Sequence, residues 1–97
     1  MNAIRVVVRG RVQGVGYRAW TEYTAIERGL QGWVRNRADG SVEAMFVGPA
    51  DVVTAMIEAC WQGPNSASVS AVDQHHAGSE ELALIRRGEL FSVLATV

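Results

Sequence analysis

The stretch that most constrains the fold is Gly10-Arg11-Val12-Gln13-Gly14-Val15-Gly16-Tyr17-Arg18, which puts three glycines within seven positions between two different hydrophobic periods. Before it, Ile4, Val6 and Val8 alternate with Arg5, Val7 and Arg9, the period-two pattern of a strand with one face in a core. After it, Tyr17 to Arg28 reads as a helix closed by Gly29. A strand that enters a helix through glycines can turn sharply with its backbone N–H groups pointing inward, and no Cβ atoms then block a ligand. An anion held there receives those amides together with the positive end of a helix dipole. Arg18 falls in the helix's first turn, where a cation is disfavoured unless an anion is bound beside it. The same residues also fit a plain glycine-rich turn carrying a solvated arginine. They do not fit a Walker loop, which needs Gly-Lys-Ser/Thr next, or the usual dinucleotide spacing.

The rest of the chain divides into further short elements. Leu30 to Arg37 is predicted to be a strand, with Trp33 facing opposite to Val34 and Asn36. Ala38-Asp39-Gly40 is a tight-turn signal, and Ser41 to Val47 returns as the other half of a hairpin. Ala50 to Gln62 has Val52, Val53, Met56, Ile57, Cys60 and Trp61 at helical spacing, with Pro49 in its first turn and Gly63-Pro64 as its stop. Ser66 to His76 reads as an edge strand, Arg86-Arg87-Gly88 as a turn, and Phe91 to Ala95 as a last short strand. Of Ala77 to Glu89, only the apolar run at Leu82 to Ile85 stands out.

The predicted order is βαββαβ plus a terminal strand. This is an α+β, ferredoxin-like arrangement with two helices on one face of an antiparallel sheet. Right-handed crossovers place the first and third strands side by side in the middle. No linker or repeat divides residues 1–97, so a single domain is expected.

Charge and composition narrow the function. The net charge of -1 argues against holding nucleic acid or an anionic membrane by bulk electrostatics. The third strand also carries only one ring, Phe46, where an RNA-binding sheet would stack several. Any anion binding must therefore be local. All nine basic residues are arginine, and Arg5, Arg9, Arg11, Arg35 and Arg37 flank the two stretches that look functional, which predicts a locally positive region. Adjacent His75 and His76 in a strand point to opposite faces, and no cysteine or carboxylate pair stands at ligand spacing, so neither a metal nor another cofactor is expected. Glu80-Glu81 reads as a solvated loop, and Cys60, the single cysteine, as a buried thiol in a reducing compartment. With no long apolar segment near Met1 or elsewhere, the expectation is a monomeric cytoplasmic protein.

The string Gly10-x-Val12-Gln13-Gly14-Val15-Gly16-Tyr17-Arg18, followed by Gly32-Trp33-Val34-Arg35-Asn36 and Asp39-Gly40-Ser41-Val42, resembles the acylphosphatase family in both signature stretches and in their order. The resemblance implies a sheet with its strands in the order fourth, first, third, second, and the final strand beside the second. It implies hydrolysis of small acyl phosphates to a carboxylate and inorganic phosphate without a metal. Inorganic phosphate would then be both product and competing ligand. Arg18 would bind the phosphate, the backbone of Gln13, Gly14, Val15, Gly16, Tyr17 and Arg18 would complete the cradle, and Asn36 would orient the attacking water. The residue chemistry agrees. A guanidinium grips phosphoryl oxygens bidentately, and a carboxamide can accept a hydrogen bond from water; neither is a strong base or nucleophile, so the substrate must already be activated. The chain departs from the family between His75 and Leu90 and at Leu94, where many members carry arginine, which leaves the terminal strand's pairing open. The other class of function is a phosphate or carbamoyl-phosphate binding module without turnover, like the related segment of larger hydrogenase-maturation proteins.

Overall fold

The alternation at Ile4, Val6 and Val8 belongs to a strand longer than expected, β1 (Asn2–Arg11), around which the computed structural model of residues 1–97 is built. After it come α1 (Tyr17–Glu27), β2 (Gln31–Asn36), β3 (Val42–Gly48), α2 (Ala50–Cys60), β4 (Ser68–His76), a single helical turn α3 (Ser79–Leu82) and β5 (Phe91–Val93). The sheet order is β4-β1-β3-β2-β5, with β1 and β3 central as the crossover rule requires. Neighbours among β4, β1, β3 and β2 pair antiparallel. The terminal strand runs parallel to β2, so the ferredoxin-like sheet is mixed at that edge. Beyond β5 the tail keeps to the same course, since Leu94 N–H donates to the Val34 carbonyl at 2.9 Å and Val97 N–H to the Asn36 carbonyl at 3.1 Å.

Gly10, expected to open the loop, is instead a strand residue. It has φ +120°, lies at a register shift in the β1–β4 pairing, and would put a Cβ 2.3 Å from the Ser68 carbonyl oxygen. Only glycine lets β4 come this close to β1.

The period of two sorts the side chains between two unequal cores. On the helix-covered face Val6, Val8, Val34, Val42, Ala44 and Phe46 meet Tyr17 and Ala25 of α1 and Val53, Met56, Ile57 and Cys60 of α2 in a cluster of 16 buried residues. Burying that many apolar side chains is the main stabilising contribution in a chain of this size. Helix α1 buries Tyr17, Thr21, Thr24 and Ala25, while Arg28 is exposed at the C-cap. Its end is a complete Schellman motif: Leu30 N–H reaches the Ala25 carbonyl at 2.9 Å, and Gly29 N–H reaches that of Ile26 at 3.0 Å. In α2, Pro49 is the N-cap rather than a first-turn residue, and Trp61, counted with the apolar stripe, lies beyond the helix with half its surface exposed.

The opposite face has a smaller core of Trp33, Met45 and Leu94, packed against Val47, Ala77, Leu84 and Ile85. The stretch after β4, which had no clear period, is thus a strap over the outer face of the sheet. The Trp33 indole N–H fastens it by donating to the Glu81 carbonyl at 2.9 Å. Leu94 is buried in this core, which accounts for an apolar residue at that position.

Candidate active site

The loop between β1 and α1 ends in a helix start without a side-chain cap. Gly16 is the N-cap at φ +82°, a left-handed conformation that costs an L side chain about 1 kcal/mol or more, and no acidic residue stands in the first turn. By contrast, α2 has Asp51 in its first turn. Among the turn and loop hydrogen bonds, no backbone N–H from Gly14 to Ala19 donates to a carbonyl, and the series begins only at Trp20 N–H to Gly16 O, 3.0 Å. A run of orphan amides at a helix N-terminus is what an anion satisfies.

Several contacts hold this loop in place. Tyr17, which the sequence placed in the cradle through its backbone, has its ring buried in the core and its hydroxyl donating to the Cys60 carbonyl at 2.6 Å. Burial pushes the Tyr17 hydroxyl well above its ordinary value and the Cys60 thiol up to about 12, so both are structural groups and neither is poised for acid–base or thiolate chemistry. Val15 packs against the same core. Gln13 does more than its backbone promised: its side-chain amide donates to the carbonyls of Arg37 at 2.8 Å and Ser41 at 2.9 Å, one on each side of the β2–β3 turn. That turn is itself tied by Asp39, whose carboxylate accepts from the backbone N–H and the hydroxyl of Ser41 at 3.0 and 2.6 Å. The Ser41 bonds hold the exposed Asp39 carboxyl below its usual range. The glycine loop and the hairpin that ends β2 are therefore bolted together.

Asn36 is the last residue of β2, on the same face as Val34. Its backbone is paired with Val42 across β3, and its carbonyl accepts from Val97. Asn36 lines an open cavity of about 360 Å³ whose wall also includes Gln13, Gly14, Gly16, Tyr17 and Arg18. The carboxamide oxygen Oδ1 is buried and has no hydrogen-bond partner. Such an atom costs about 1–3 kcal/mol in a protein that does not use it. Half-buried Arg18 shares the cavity and takes part in none of the ion pairs. Of the loop residues expected in the cradle, Val15 alone is absent from the cavity wall.

The wall also contains Val12, Ala19, Glu22 and Val93, which sequence reading passed over. The position of Glu22 was accessible, since a residue four after Arg18 shares its helix face; that of Val93 depended on how β5 pairs.

Of the five arginines expected to make the two stretches locally positive, three are paired with carboxylates. Arg5 and Arg35 face the outer side of the sheet and both bind Glu43, at 2.5 and 2.6 Å, while Arg9 lies 3.1 Å from Asp73 and 3.7 Å from Asp39. His75 and His76 lie exposed on β4 beside the outer cavity. No helix is long and apolar enough to cross a membrane.

The chain is similar to known proteins over most of its length. The family described as Acylphosphatase matches residues 4–83. An acylphosphatase from Bradyrhizobium diazoefficiens is 57% identical over 94 residues, covering 97% of this chain and 95% of that protein. One from Nitrobacter hamburgensis is 54% identical over 93 residues, covering 96% and 94%. The crystal structure of acylphosphatase from Bacillus subtilis superposes with a TM-score of 0.83 at 35% identity, covering 97% of this chain and 99% of that one. A shared fold, a shared length and this identity lead to one conclusion: the chain belongs to the acylphosphatase family of enzymes.

Proposed function

We propose that this chain hydrolyses acyl phosphates by holding the phosphoryl group in the loop and directing a water onto it from Asn36. The phosphoryl oxygens take the amides of residues 14–18 and the Arg18 guanidinium, which together offset charge in a loose transition state. Asn36 Oδ1 accepts a hydrogen bond from the water and so fixes it in line with the bond to be broken. The water oxygen bonds to phosphorus, the bond from phosphorus to the carboxyl oxygen breaks, and the carboxylate leaves with the electron pair. The water's hydrogens end on the phosphate, giving a carboxylate and dihydrogen phosphate. A carboxylate is a good leaving group, so no general acid is needed.

The observation that carries this reading is that Asn36, whose buried Oδ1 has no hydrogen-bond partner, lines the same cavity as Arg18. A module that only binds phosphate or carbamoyl phosphate gains nothing from an acceptor there, because an acceptor repels phosphate oxygens. A water donates to it. Membership of the acylphosphatase family supports the same chemistry.

The test is phosphate release from benzoyl phosphate. Asn36→Ala should lower kcat by about a thousandfold while inorganic phosphate binds as before. If phosphate binding falls in step with kcat, Asn36 is a binding group and the water-orienting role is lost. Charge stabilisation in this scheme comes from Arg18 and the amides, so exhaustive EDTA treatment should leave turnover unchanged. Loss in EDTA with recovery on adding Mg²⁺ would refute it.

A further inference from the structure

The cavity contains one acidic group that the hydrolysis scheme does not use. Glu22, half-buried on α1, is the single carboxylate among the residues that line it. It follows Arg18 by four positions, so it lies on the same helix face, about 6 Å further along the axis from the loop. It forms no ion pair, although Arg18 and Arg28 stand on the same helix and its C-cap. A half-buried carboxylate beside an anion site weakens phosphate binding, so a reason is needed for its place there.

The walls of the cavity are already divided. The loop and Arg18 face the phosphoryl group, and Asn36 faces the water. In-line displacement sets the departing carboxylate on the far side of phosphorus from that water. The ionisable lining residue that this division leaves unassigned is Glu22. From Glu22 the surface continues along α1 as a shallow strip over Tyr23 and Ile26, both exposed, and ends at Glu27, to which the Tyr23 hydroxyl donates at 3.3 Å. An acyl chain leaving the cavity along α1 thus passes one carboxylate, an apolar strip and a second carboxylate.

We propose that Glu22 is a specificity-determining residue that reads the charge of the acyl group, favouring cationic and neutral acyl phosphates over those whose acyl group carries a carboxylate. The inference rests on the hydrolytic reading above. It adds a substrate class, which neither the loop nor Asn36 defines. Glu22 repels the phosphoryl group of every substrate alike, so that part of its effect cancels when substrates are compared; what remains is its interaction with the acyl charge.

The experiment measures kcat/KM for three substrates of similar length: butyryl phosphate, succinyl phosphate and 4-(trimethylammonio)butyryl phosphate. The parent should prefer butyryl over succinyl phosphate by about tenfold, and the cationic substrate over butyryl by about threefold, with both ratios shrinking at 0.5 M NaCl. Glu22→Gln should bring both ratios to within about twofold of one, and Glu22→Asp, which keeps the charge, should retain most of the discrimination. A succinyl-to-butyryl ratio that Glu22→Gln leaves unchanged overturns the proposal, as does a parent that treats the three alike; in both cases the hydrolytic reading stands. A parent that hydrolyses none of the three removes the hydrolytic reading and this one with it.

Discussion

Two cavities of nearly equal volume, about 360 and 370 Å³, lie on opposite faces of this sheet, and arginine lines both. On the outer face two of the three guanidiniums, those of Arg5 and Arg35, are spent. Glu43, almost fully buried, takes Arg5 on one oxygen and Arg35 on the other, while the Arg35 guanidinium lies 4.8 Å over the Trp33 ring. At the loop, Arg18 has no carboxylate partner and stands beside a helix N-terminus whose amides are also unpaired. The outer arginines close a network that seals the small core. Arg18 leaves one open, which an external anion would complete. What an arginine does here is decided by whether a carboxylate reaches it, and the period of two distributes the carboxylates: odd positions of β2 and β3 put Arg35 directly across from Glu43, while Asn36 faces the other way.

Breaking the closed network should have a large effect on stability and a small one on catalysis. Glu43→Gln leaves two guanidiniums facing a neutral amide and should cost about 3 kcal/mol in denaturant melts, with acyl phosphate turnover within a few-fold of the parent. The acid limb of the stability curve gives a second reading. Burial raises the Glu43 carboxyl, but the bonds and charges of Arg5 and Arg35 outweigh it and hold the group below the usual carboxylate range. A group depressed in the folded state stabilises fully above its unfolded pKa, about 4.3, and loses that contribution as pH falls through the lower folded value. The parent should therefore lose stability more steeply below about pH 4.5 than Glu43→Gln. Parallel acid limbs, or a turnover loss as large as the stability loss, would mean that the two faces are not separable.

A smaller effect is expected where the open site is held together. Gln13→Ala removes two hydrogen bonds between the loop and the hairpin, although the carbonyls of Arg37 and Ser41 each keep a backbone donor, Gly40 and Arg37 respectively. The cost should be about 1–2 kcal/mol. Turnover of benzoyl phosphate should fall about tenfold, because Arg18 and Asn36 are aligned across this joint. A variant with the stability loss but full kcat would show that the core contacts of Tyr17 and Val15 align the loop by themselves.

The same contrast explains how much could be read in advance. Strand and helix order was legible because Ile4-Val6-Val8 and Val53-Met56-Ile57-Cys60 carry clean periods, and the residues that come to line one cavity stood out because the glycine loop and Asn36 sit in distinctive strings. Trp33 and Val34 facing opposite ways followed from strand geometry alone, and each lies in a different core. The rest depended on contacts between residues far apart in the chain. The strap from Ala77 to Leu90 had no period because one helical turn and a coil cannot show one, and its partner, the Trp33 indole, lies 48 positions from Glu81. The arginines looked like a positive patch because charges counted along a chain do not reveal which of them a β-strand register pairs off. Trp61 looked like core because the helical period continues one residue past Cys60, where the helix ends.

The smallest expected effect separates the two kinds of arginine most sharply. With no anion bound, Arg18 sets a positive charge against converging N–H dipoles at the start of α1, an arrangement that costs about 0.3–1 kcal/mol where partly exposed. Arg18→Gln keeps much of the side chain's length and removes the charge. It should abolish hydrolysis yet leave the phosphate-free protein as stable as the parent, or up to about 1 kcal/mol more stable, whereas any loss at the outer network lowers stability. Phosphate then reverses the order. At ten times its dissociation constant it should add about 1.4 kcal/mol to the parent by mass action and much less to the variant at the same concentration. Denaturant melts of both proteins, with and without phosphate, give the four values. If Arg18→Gln is folded but clearly less stable without phosphate, Arg18 belongs with Arg5 and Arg35 as a group that holds the fold, and the distinction between a closed and an open arginine site fails at its central residue.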